Sequence, residues 1–442
     1  MASIPGSQFG TATPSTVTTP SGVPNIIEIM PGQSIPTNPP PNTVLVYVGS
    51  SGGPTSVPPG YAGLILVDPS DDTMQLVGGA MDVSLNNAPS QSVLVEGDDE
   101  TLSGGAGQLN TTVSGTGDIV YGGAGDLNAS VTGSGDLVTG GGNDTISVTG
   151  NYDTVYGVGD DTITLYGKGE VVNGGTGNDS ITAYNAYDTI VAGSGDDTVN
   201  VYGQGQLVNG GTGTDQIAIY GNYDTLYGGS GSGTDTINVF GQGDLINGGT
   251  GNNLISAYGN YYTLDGGTGN DTIYSYGQGD AVNTGTGNTS ITSYGNYDTV
   301  YGLDGNDTLN VYGAGDAVGV TGAGMDSMSV NGNYDTVNAG TGSDTISING
   351  TGNLVESGFA GSGGTANIDM NGSFNTLVDG PGTYNDTVVG FSGAAGDKIA
   401  LQPGHTVASS NLVNGNQDTL ITLSDGSTIL LKGVTNTSGI FS

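Results

Sequence analysis

The chain has no cysteine and no tryptophan, and only 3 of its 442 residues are lysine or arginine. The absence of cysteine excludes disulfide frameworks, thiolate zinc sites and thiol catalysis. With so few basic residues there is no cluster to meet phosphates, so nucleic acid is not an expected partner. Only 34% of the residues are hydrophobic. This composition does not support a thick globular core.

Long apolar segments and histidines are also scarce. No run of about 18 apolar residues occurs, and residues 1–22 lack the basic and apolar regions of a Sec signal. We therefore expect no membrane insertion, and we expect any export signal to lie elsewhere, with the C-terminal region the first suspect. The one histidine, His405, lies outside the repeats described below. A Ser-His-Asp triad within the repeats is therefore impossible, and we predict that the chain is not an enzyme.

Glycine and acidic residues are abundant: there are 86 glycines, and 42 Asp and Glu give a formal net charge of −39. A chain with this charge and modest hydrophobicity is normally disordered. The exception is a chain whose carboxylates are spaced to bind cations, because metal binding then stabilises the fold.

Residues 96–382 consist of nonapeptide units of two alternating kinds. One is glycine-rich, of the form G-G-x-G-x-D-x-U-x with U aliphatic, as in GGTGNDSIT (174–182). The other has the form x-Y-G-x-x-D-x-U-x, as in IYGNYDTLY (219–227). Six turn-forming positions and a three-residue strand make each unit, and two units complete a coil of 18 residues. The sequence thus predicts an all-β parallel β-roll whose interior holds Ile181, Ile190, Val199, Val208, Ile217 and Leu226.

The flanking regions differ from the repeats. Residues 1–95 are rich in Pro, Ser and Thr, with β-prone runs at 26–29, 44–48 and 64–67. They predict an N-terminal arm or cap; such strands could also pair with the exposed edge of a neighbouring molecule. Residues 383–442 predict a C-terminal β cap, with a hairpin over 419–435 that turns at Asp425-Gly426.

An aspartate recurs at one position of the glycine-rich units, in several places at intervals of one coil. Stacked carboxylates and glycine-turn carbonyls offer the hard oxygen ligands that Ca²⁺ prefers, whereas Mg²⁺ requires a smaller octahedral shell. Asn253 and Thr289 interrupt the series. The predicted metal site comprises Asp144, Asp161, Asp179, Asp197, Asp215, Asp235, Asp271, Asp307, Asp326 and Asp344, with turn glycines such as Gly174, Gly175, Gly177, Gly210, Gly211 and Gly213.

Aromatic residues mark the other kind of unit, mostly 18 residues apart. They predict either a surface for sugars or a neighbouring roll, or rings that only rigidify this edge. The series is Tyr166, Tyr184, Tyr202, Tyr220, Phe240, Tyr258, Tyr276, Tyr294 and Tyr312. A second set recurs about every 36 residues: Tyr152, Tyr187, Tyr223, Tyr261, Tyr297 and Tyr334. The same units carry Asp153, Asp188, Asp224, Asp298 and Asp335, but lack two of the three motif glycines, so we do not expect them to bind metal.

The glycine-rich units GGTGNDSIT, GGTGNDTIY and GLDGNDTLN resemble the nonapeptide repeats of the RTX family of haemolysin-type calcium-binding proteins. This resemblance implies a right-handed parallel β-roll that folds on binding Ca²⁺ outside the cell. The segments DTVVGFSGAAGDKIAL and TLITLSDGSTILLKGV resemble the family's C-terminal secretion region. They imply type I secretion to the bacterial cell surface or the medium.

Three functions are compatible with this pattern. The leading hypothesis is a calcium-dependent structural protein that forms a homo-oligomer or polymer, as an S-layer or an extracellular filament. The first alternative is an adhesin that binds cell-surface polysaccharide through the aromatic series. The second is an ice-binding protein, because outward Thr-x-Asn rows resemble those of RTX ice-binding domains. These rows are Thr176/Asn178, Thr250/Asn252, Thr268/Asn270 and Thr286/Asn288, interrupted at Ser194/Asp196 and Thr212/Thr214.

Overall fold

The computed structural model describes residues 15–17, 25–30, 33–48, 58, 61, 63–67, 73–77, 82–85, 90–357, 364–380, 382 and 384–442. Within these residues the chain is built from β-strands, with one short 3-10 helix at Gly393–Ala395. It forms two compact units, Met1–Val199 and Asn200–Ser442. A further strand is Thr198–Val201.

The first unit is a β-solenoid with strands in two parallel sheets. One sheet contains Asn25–Ile29, Thr43–Val48, Gly63–Val67, Asp82–Ser84, Thr101–Ser103, Ile119–Tyr121, Leu137–Thr139, Thr154–Tyr156, Val171–Thr176 and Thr189–Ser194. The other contains Thr73–Val77, Ser90–Asp98, Gln108–Thr116, Leu127–Val131, Thr145–Val148, Thr162–Leu165 and Ser180–Ala183. In the repeats, neighbouring strands pair one coil apart, as in Ile119 with Leu137.

The three strands predicted before residue 95 are confirmed, and they belong to this parallel stack. Asn25–Ile29 pairs with Thr43–Val48, which pairs with Gly63–Val67. The stack continues through Asp82–Ser84 to Thr101–Ser103. The edges of these strands are therefore used within the chain, and the parallel pairing crosses the boundary expected at residue 96. Ser15–Val17 adds an antiparallel strand beside Asn25–Ile29.

The second unit is also a β-solenoid with two parallel sheets. One contains Leu207–Thr212, Thr225–Tyr227, Leu245–Asn247, Thr263–Asp265, Ala281–Asn283, Thr299–Gly302, Ala317–Val320, Thr336–Asn338, Leu354–Ser357, Thr376–Asp379 and Lys398–Ala400. The other contains Gln216–Ile219, Thr236–Val239, Leu254–Ala257, Thr272–Ser275, Ser290–Ser293, Thr308–Val311, Ser327–Val330, Ser343–Thr351, Thr365–Ser373 and Asn385–Val389.

The C-terminal region closes the second unit with antiparallel strands. Asp418–Leu423 pairs with both Val407–Val413 and Thr428–Leu431. The predicted hairpin at Asp425-Gly426 is confirmed, and Gly426 adopts the left-handed φ of 95° that this turn requires. Thr428–Leu431 also pairs in parallel with Asn385–Val389, which joins the hairpin to the last coils.

The core is a narrow strip of aliphatic side chains between the two sheets of each unit. Burial alternates along the strands, as in Thr145–Val148, where Ile146 and Val148 are buried and Thr145 is exposed. All six residues predicted for the interior are at most 1% exposed. The predicted parallel β-roll is thus confirmed, and the aliphatic position U of each nonapeptide forms its core.

Candidate functional site

The predicted aspartates of the glycine-rich units are all buried, at 1–4% exposure. Each lies two residues before an inward-facing core residue, so alternation of the strand turns it inward as well. We call these ten residues the glycine-side carboxylates: Asp144, Asp161, Asp179, Asp197, Asp215, Asp235, Asp271, Asp307, Asp326 and Asp344.

A second set of acidic residues has the same environment in the units that alternate with the glycine-rich ones, many of which are tyrosine units. Their buried members, here called the tyrosine-side carboxylates, are Glu100, Asp118, Asp136, Asp153, Glu170, Asp188, Asp224, Asp244, Asp280, Asp298, Asp316 and Asp335. Several of these were absent from our sequence analysis. The signal was available, because an acidic residue stands two positions before the core residue in both kinds of unit.

Carboxylates of both sets accept hydrogen bonds from the backbone of a neighbouring coil, whereas neither carboxylate oxygen of Glu100 has a partner within the described residues. The N–H of Asp144 donates to Oδ1 of Asp161 at 2.7 Å, and the N–H of Asp161 donates to Oδ1 of Asp179 at 2.8 Å. On the tyrosine side the N–H of Asp316 donates to Oδ1 of Asp335 at 2.9 Å. One oxygen of each of these carboxylates therefore satisfies a buried backbone donor.

Within the described part of the chain, the second carboxylate oxygen has no hydrogen-bond partner in most of these residues, among them Asp161, Asp271 and Asp316. It lies on the same side of a turn glycine as a backbone carbonyl oxygen. A Cβ placed on Gly266 would lie 2.8 Å from Oδ2 of Asp271 and 2.4 Å from the carbonyl oxygen of Thr284. Because both oxygens are hydrogen-bond acceptors, an ionised carboxylate cannot form a hydrogen bond with this carbonyl.

Some positions of the two carboxylate sets carry a neutral residue instead, and the side chains described below donate a hydrogen bond to a backbone carbonyl. Asn253 donates from Nδ2 to the carbonyl of Gly248 at 2.8 Å, and Asn353 donates to that of Gly332 at 3.1 Å. The Tyr262 hydroxyl donates to the carbonyl of Gly241 at 2.6 Å. Thr289 donates from Oγ1 to the carbonyl of Thr284 at 3.3 Å. Each neutral replacement supplies a hydrogen-bond donor, so a carboxylate at this position requires a proton or a cation.

The pKa values of these carboxyl groups are raised accordingly. Burial, with a smaller contribution from neighbouring carboxylates, raises the pKa of Asp161 to about 7 and that of Glu170 to about 8. The pKa of Asp316 is raised to about 7 for the same reasons. Both sets of carboxylates are therefore costly to ionise without a positive partner.

The donor set fits a calcium ion better than a transition metal. Within the residues that the structure describes, His, Cys, Asp and Glu do not gather in groups of three that could hold a metal. An ion would instead take one carboxylate oxygen with backbone carbonyls, which are the hard ligands of Ca²⁺. The predicted turn glycines Gly175, Gly177, Gly211 and Gly213 have φ of 94°, 115°, 100° and 142°, a range that favours glycine. Gly174 and Gly210 leave room beside the carboxylates of Asp179 and Asp215.

The predicted aromatic series forms parallel stacks. In the second unit the ring centroids of Tyr220, Phe240 and Tyr258 are separated by 4.8 and 4.9 Å, with interplanar angles of 5° and 6°. Tyr276, Tyr294 and Tyr312 continue the stack at 4.9 to 5.3 Å. In the first unit Tyr166 stacks on Tyr184 at 5.0 Å. Ring faces are thus covered by neighbouring rings, and edges and hydroxyls remain exposed.

The second tyrosine set has left-handed backbone conformations, with φ between 59° and 69°. The corresponding residue of the intervening coil is glycine, as at Gly279 between Tyr261 and Tyr297. A Cβ placed on Gly279 would lie 2.9 Å from both Cδ1 and Cε1 of Tyr261. The alternation of tyrosine and glycine thus has a steric cause, and it explains the 36-residue period.

The Thr-x-Asn rows lie along the glycine-rich turns. In the second unit Thr250, Thr268 and Thr286 are consecutive partners in a parallel ladder. The N–H of Asn270 donates to Oδ1 of Asn252 at 2.8 Å, and the pattern repeats one coil later at Asn288. The asparagine carbonyl oxygens are therefore occupied within the chain.

The one histidine joins the cap to the last coils. Nδ1 of His405 lies 2.6 Å from Oδ2 of Asp379, which is fully buried. The backbone N–H of Gln402 donates to the other oxygen of Asp379. This contact anchors the segment that leads into the antiparallel cap.

No model of a known protein family matches this chain, and none of the curated proteins that were compared matches it. Within the described residues, none of the helical structure is long and apolar enough to cross a membrane.

Proposed function

We propose that this chain is a calcium-stabilised structural protein that assembles with copies of itself outside the cell. The observation that supports the calcium role is a carboxylate oxygen, as in Asp271, that has no hydrogen-bond partner within the described residues. Where the residue at this position is neutral, as at Asn253, its side chain donates a hydrogen bond to a backbone carbonyl. Bound Ca²⁺ would supply the positive charge that these two acceptors lack. Protonation is the alternative at low pH, and the raised pKa values permit it.

The stacked aromatic series supports self-association. Its members are 44–49% exposed, so ring edges form an apolar stripe along each unit. In the second unit the acidic residues of the adjoining turns, such as Asp280, Asp298 and Asp316, are only 1% exposed. Two chains with a net charge of −39 repel each other least where they present such uncharged surfaces. We therefore place the contact between copies on this stripe.

We infer an extracellular location, which is supported by the proposed calcium role and by the C-terminal segments that resemble a type I secretion region. Calcium sites of extracellular modules typically have dissociation constants of about 10⁻⁴ to 10⁻³ M. Deletion of residues 383–442 in the native host should retain the protein inside the cell. Secretion of the truncated chain at the normal level would contradict this proposal.

Negative-stain electron microscopy with millimolar Ca²⁺ and with excess EGTA tests the assembly. We expect sheets or filaments only with Ca²⁺. In a variant with Tyr258, Tyr276 and Tyr294 replaced by Ser, circular dichroism should still show β-structure while particles remain single. The matched control replaces the same three residues by Phe, which already occupies the stack at Phe240. A wild-type chain that remains monomeric in Ca²⁺ would refute self-assembly.

A further inference from the structure

The left-handed aromatic residues of the second unit have no evident structural purpose. Tyr223, Tyr261, Tyr297 and Tyr334 have φ between 59° and 62°, and Phe374 continues the series with a φ of 58°. A side chain in this region costs roughly 1–2 kcal/mol compared with glycine. Glycine is the residue that the chain itself uses at this position in the intervening coils, as at Gly315. We call these five residues the comb.

The rings of the comb are more accessible than those of the stacked series. They are 62–74% exposed, against 44–49% in the stack. Only Cδ1 and Cε1 of Tyr261 come within 3 Å of a Cβ placed on Gly279, so the ring meets the next coil by its edge. No comb residue stacks on another aromatic ring within the described residues. Within these residues no aromatic ring therefore covers a face of a comb ring, in contrast to the stacked series.

The surroundings of the comb are polar but uncharged. The acidic residue that follows each comb tyrosine, as Asp298 follows Tyr297, is at most 2% exposed where it occurs. Oδ1 of Asn296 accepts the N–H of Ala314, and Oδ1 of Asn333 accepts that of Thr351. The amide NH₂ groups of these asparagines lie beside the comb and can donate to hydroxyl groups.

From these features we propose that the comb binds a neutral, extended polysaccharide of β-linked hexopyranose rings. The apolar face of a pyranose ring packs on an open aromatic face, and the amide groups bind its hydroxyls. Successive comb rings lie two coils apart, about 10 Å at the usual strand spacing. That distance is close to the length of one disaccharide in an equatorially linked chain, so every second sugar meets a ring.

The stacked series, which the sequence suggested as the sugar surface, is less suited to this role because its ring faces are already covered. A second copy of the chain is the competing occupant of the comb. We favour the polysaccharide because the comb presents isolated, 62–74% exposed rings that are not stacked on other aromatic rings, rather than a continuous apolar stripe like the one assigned above to self-association. This proposal does not depend on assembly.

Binding of the calcium-loaded full chain to soluble hexasaccharides tests the proposal. The probes are β-1,4-linked glucose and N-acetylglucosamine oligomers, with α-1,4-linked glucose and anionic oligogalacturonate as contrasts, measured by isothermal titration calorimetry. We expect binding of the β-linked neutral oligomers and at least about tenfold weaker binding of the contrasts. Replacement of Tyr261, Tyr297 and Tyr334 by Gly should weaken binding by about tenfold or more without unfolding the chain.

The matched control replaces Tyr258, Tyr276 and Tyr294 of the stack by Phe and should retain full sugar binding. Equal binding by the comb variant, or binding of none of the neutral oligomers, would overturn the proposal. If the comb variant instead loses calcium-dependent assembly and the wild type binds no sugar, the comb is a contact between copies. Failure of assembly alone, with sugar binding intact, would refute only the function proposed above.

Discussion

The ring of Tyr297 occupies the place where a side chain on Gly315 would have to lie: a Cβ on Gly315 would be 2.9 Å from both Cδ1 and Cε1 of that ring. Gly315 also has a φ of 76°. We therefore expect Gly315→Ala to destabilise the coil by roughly 2–4 kcal/mol, from backbone strain and steric overlap together. The measurement is calcium-saturated thermal and denaturant unfolding.

A double-mutant cycle separates the two causes. In the Tyr297→Gly background the ring is absent, so Gly315→Ala should cost only the backbone strain, about 1–2 kcal/mol. Tyr297→Gly alone should change stability by less than about 1 kcal/mol, because relief of strain offsets the lost contact of the ring. Equal costs of Gly315→Ala in the two backgrounds would show that the ring does not restrict this glycine.

The fold followed from the sequence because its period is short and its core position is regular. The aliphatic residue of each nonapeptide, such as Ile181, identified the strand, and the glycines identified the turns. Several tyrosine-side carboxylates, such as Asp280 and Asp316, were not named from the sequence because we weighed the missing glycines more than the constant spacing between the acidic residue and the core residue. The left-handed tyrosines could not be predicted, since φ near 60° is rare for an aromatic residue.

The pH dependence of the calcium-free protein follows from the raised pKa values. The pKa of Asp224 rises from an ordinary 3.8 to about 7, and that of Glu170 from 4.5 to about 8, chiefly by burial. The folded chain thus holds protons that the unfolded chain releases, so this stability is complete below about pH 4 and is lost as pH rises toward 8. In EGTA, the melting temperature should fall between about pH 5 and pH 8.

Calcium should reverse this trend at the alkaline end and have little effect at the acidic end. The control is Mg²⁺ at the same ionic strength, which should restore less stability because it prefers a smaller octahedral shell. A calcium-free melting temperature that rises with pH over this range would contradict the assignment of the buried carboxylates.

Asp271→Asn tests one carboxylate directly. The variant keeps Oδ1 as the acceptor for the N–H of Asn253 and gains an NH₂ that can donate to a carbonyl, as Asn253 does to Gly248. In EGTA near pH 8 we expect stability to rise by about 1–3 kcal/mol, since an unpaired buried acceptor is removed. Calcium stoichiometry should fall at the same time. Asp304→Asn, at an exposed residue, is the control with the same change of charge and should alter neither quantity.

The contact between Asp379 and His405 should control the cap more than the roll. His405→Ala leaves the fully buried Asp379 with the N–H of Gln402 as its remaining donor in the described structure, a loss of about 1–3 kcal/mol. Hydrogen exchange should accelerate in residues 398–413, while exchange in residues 216–257 stays unchanged. Acceleration throughout the second unit would instead mean that the cap and coils unfold as one cooperative body.

Asn253→Asp offers the converse of Asp271→Asn, because it places a carboxylate between those of Asp235 and Asp271. The N–H of Asp235 donates to Oδ1 of Asn253 at 3.0 Å, and an aspartate keeps this acceptor. It loses the bond from Nδ2 to the carbonyl of Gly248 and becomes an acceptor facing an acceptor. In EGTA near pH 8 the variant should lose about 1–3 kcal/mol of stability, and saturating Ca²⁺ should restore it with an increase in bound calcium. A variant destabilised equally with and without Ca²⁺ would show that carboxylate and carbonyl do not share a cation, and that the buried acids are instead held protonated.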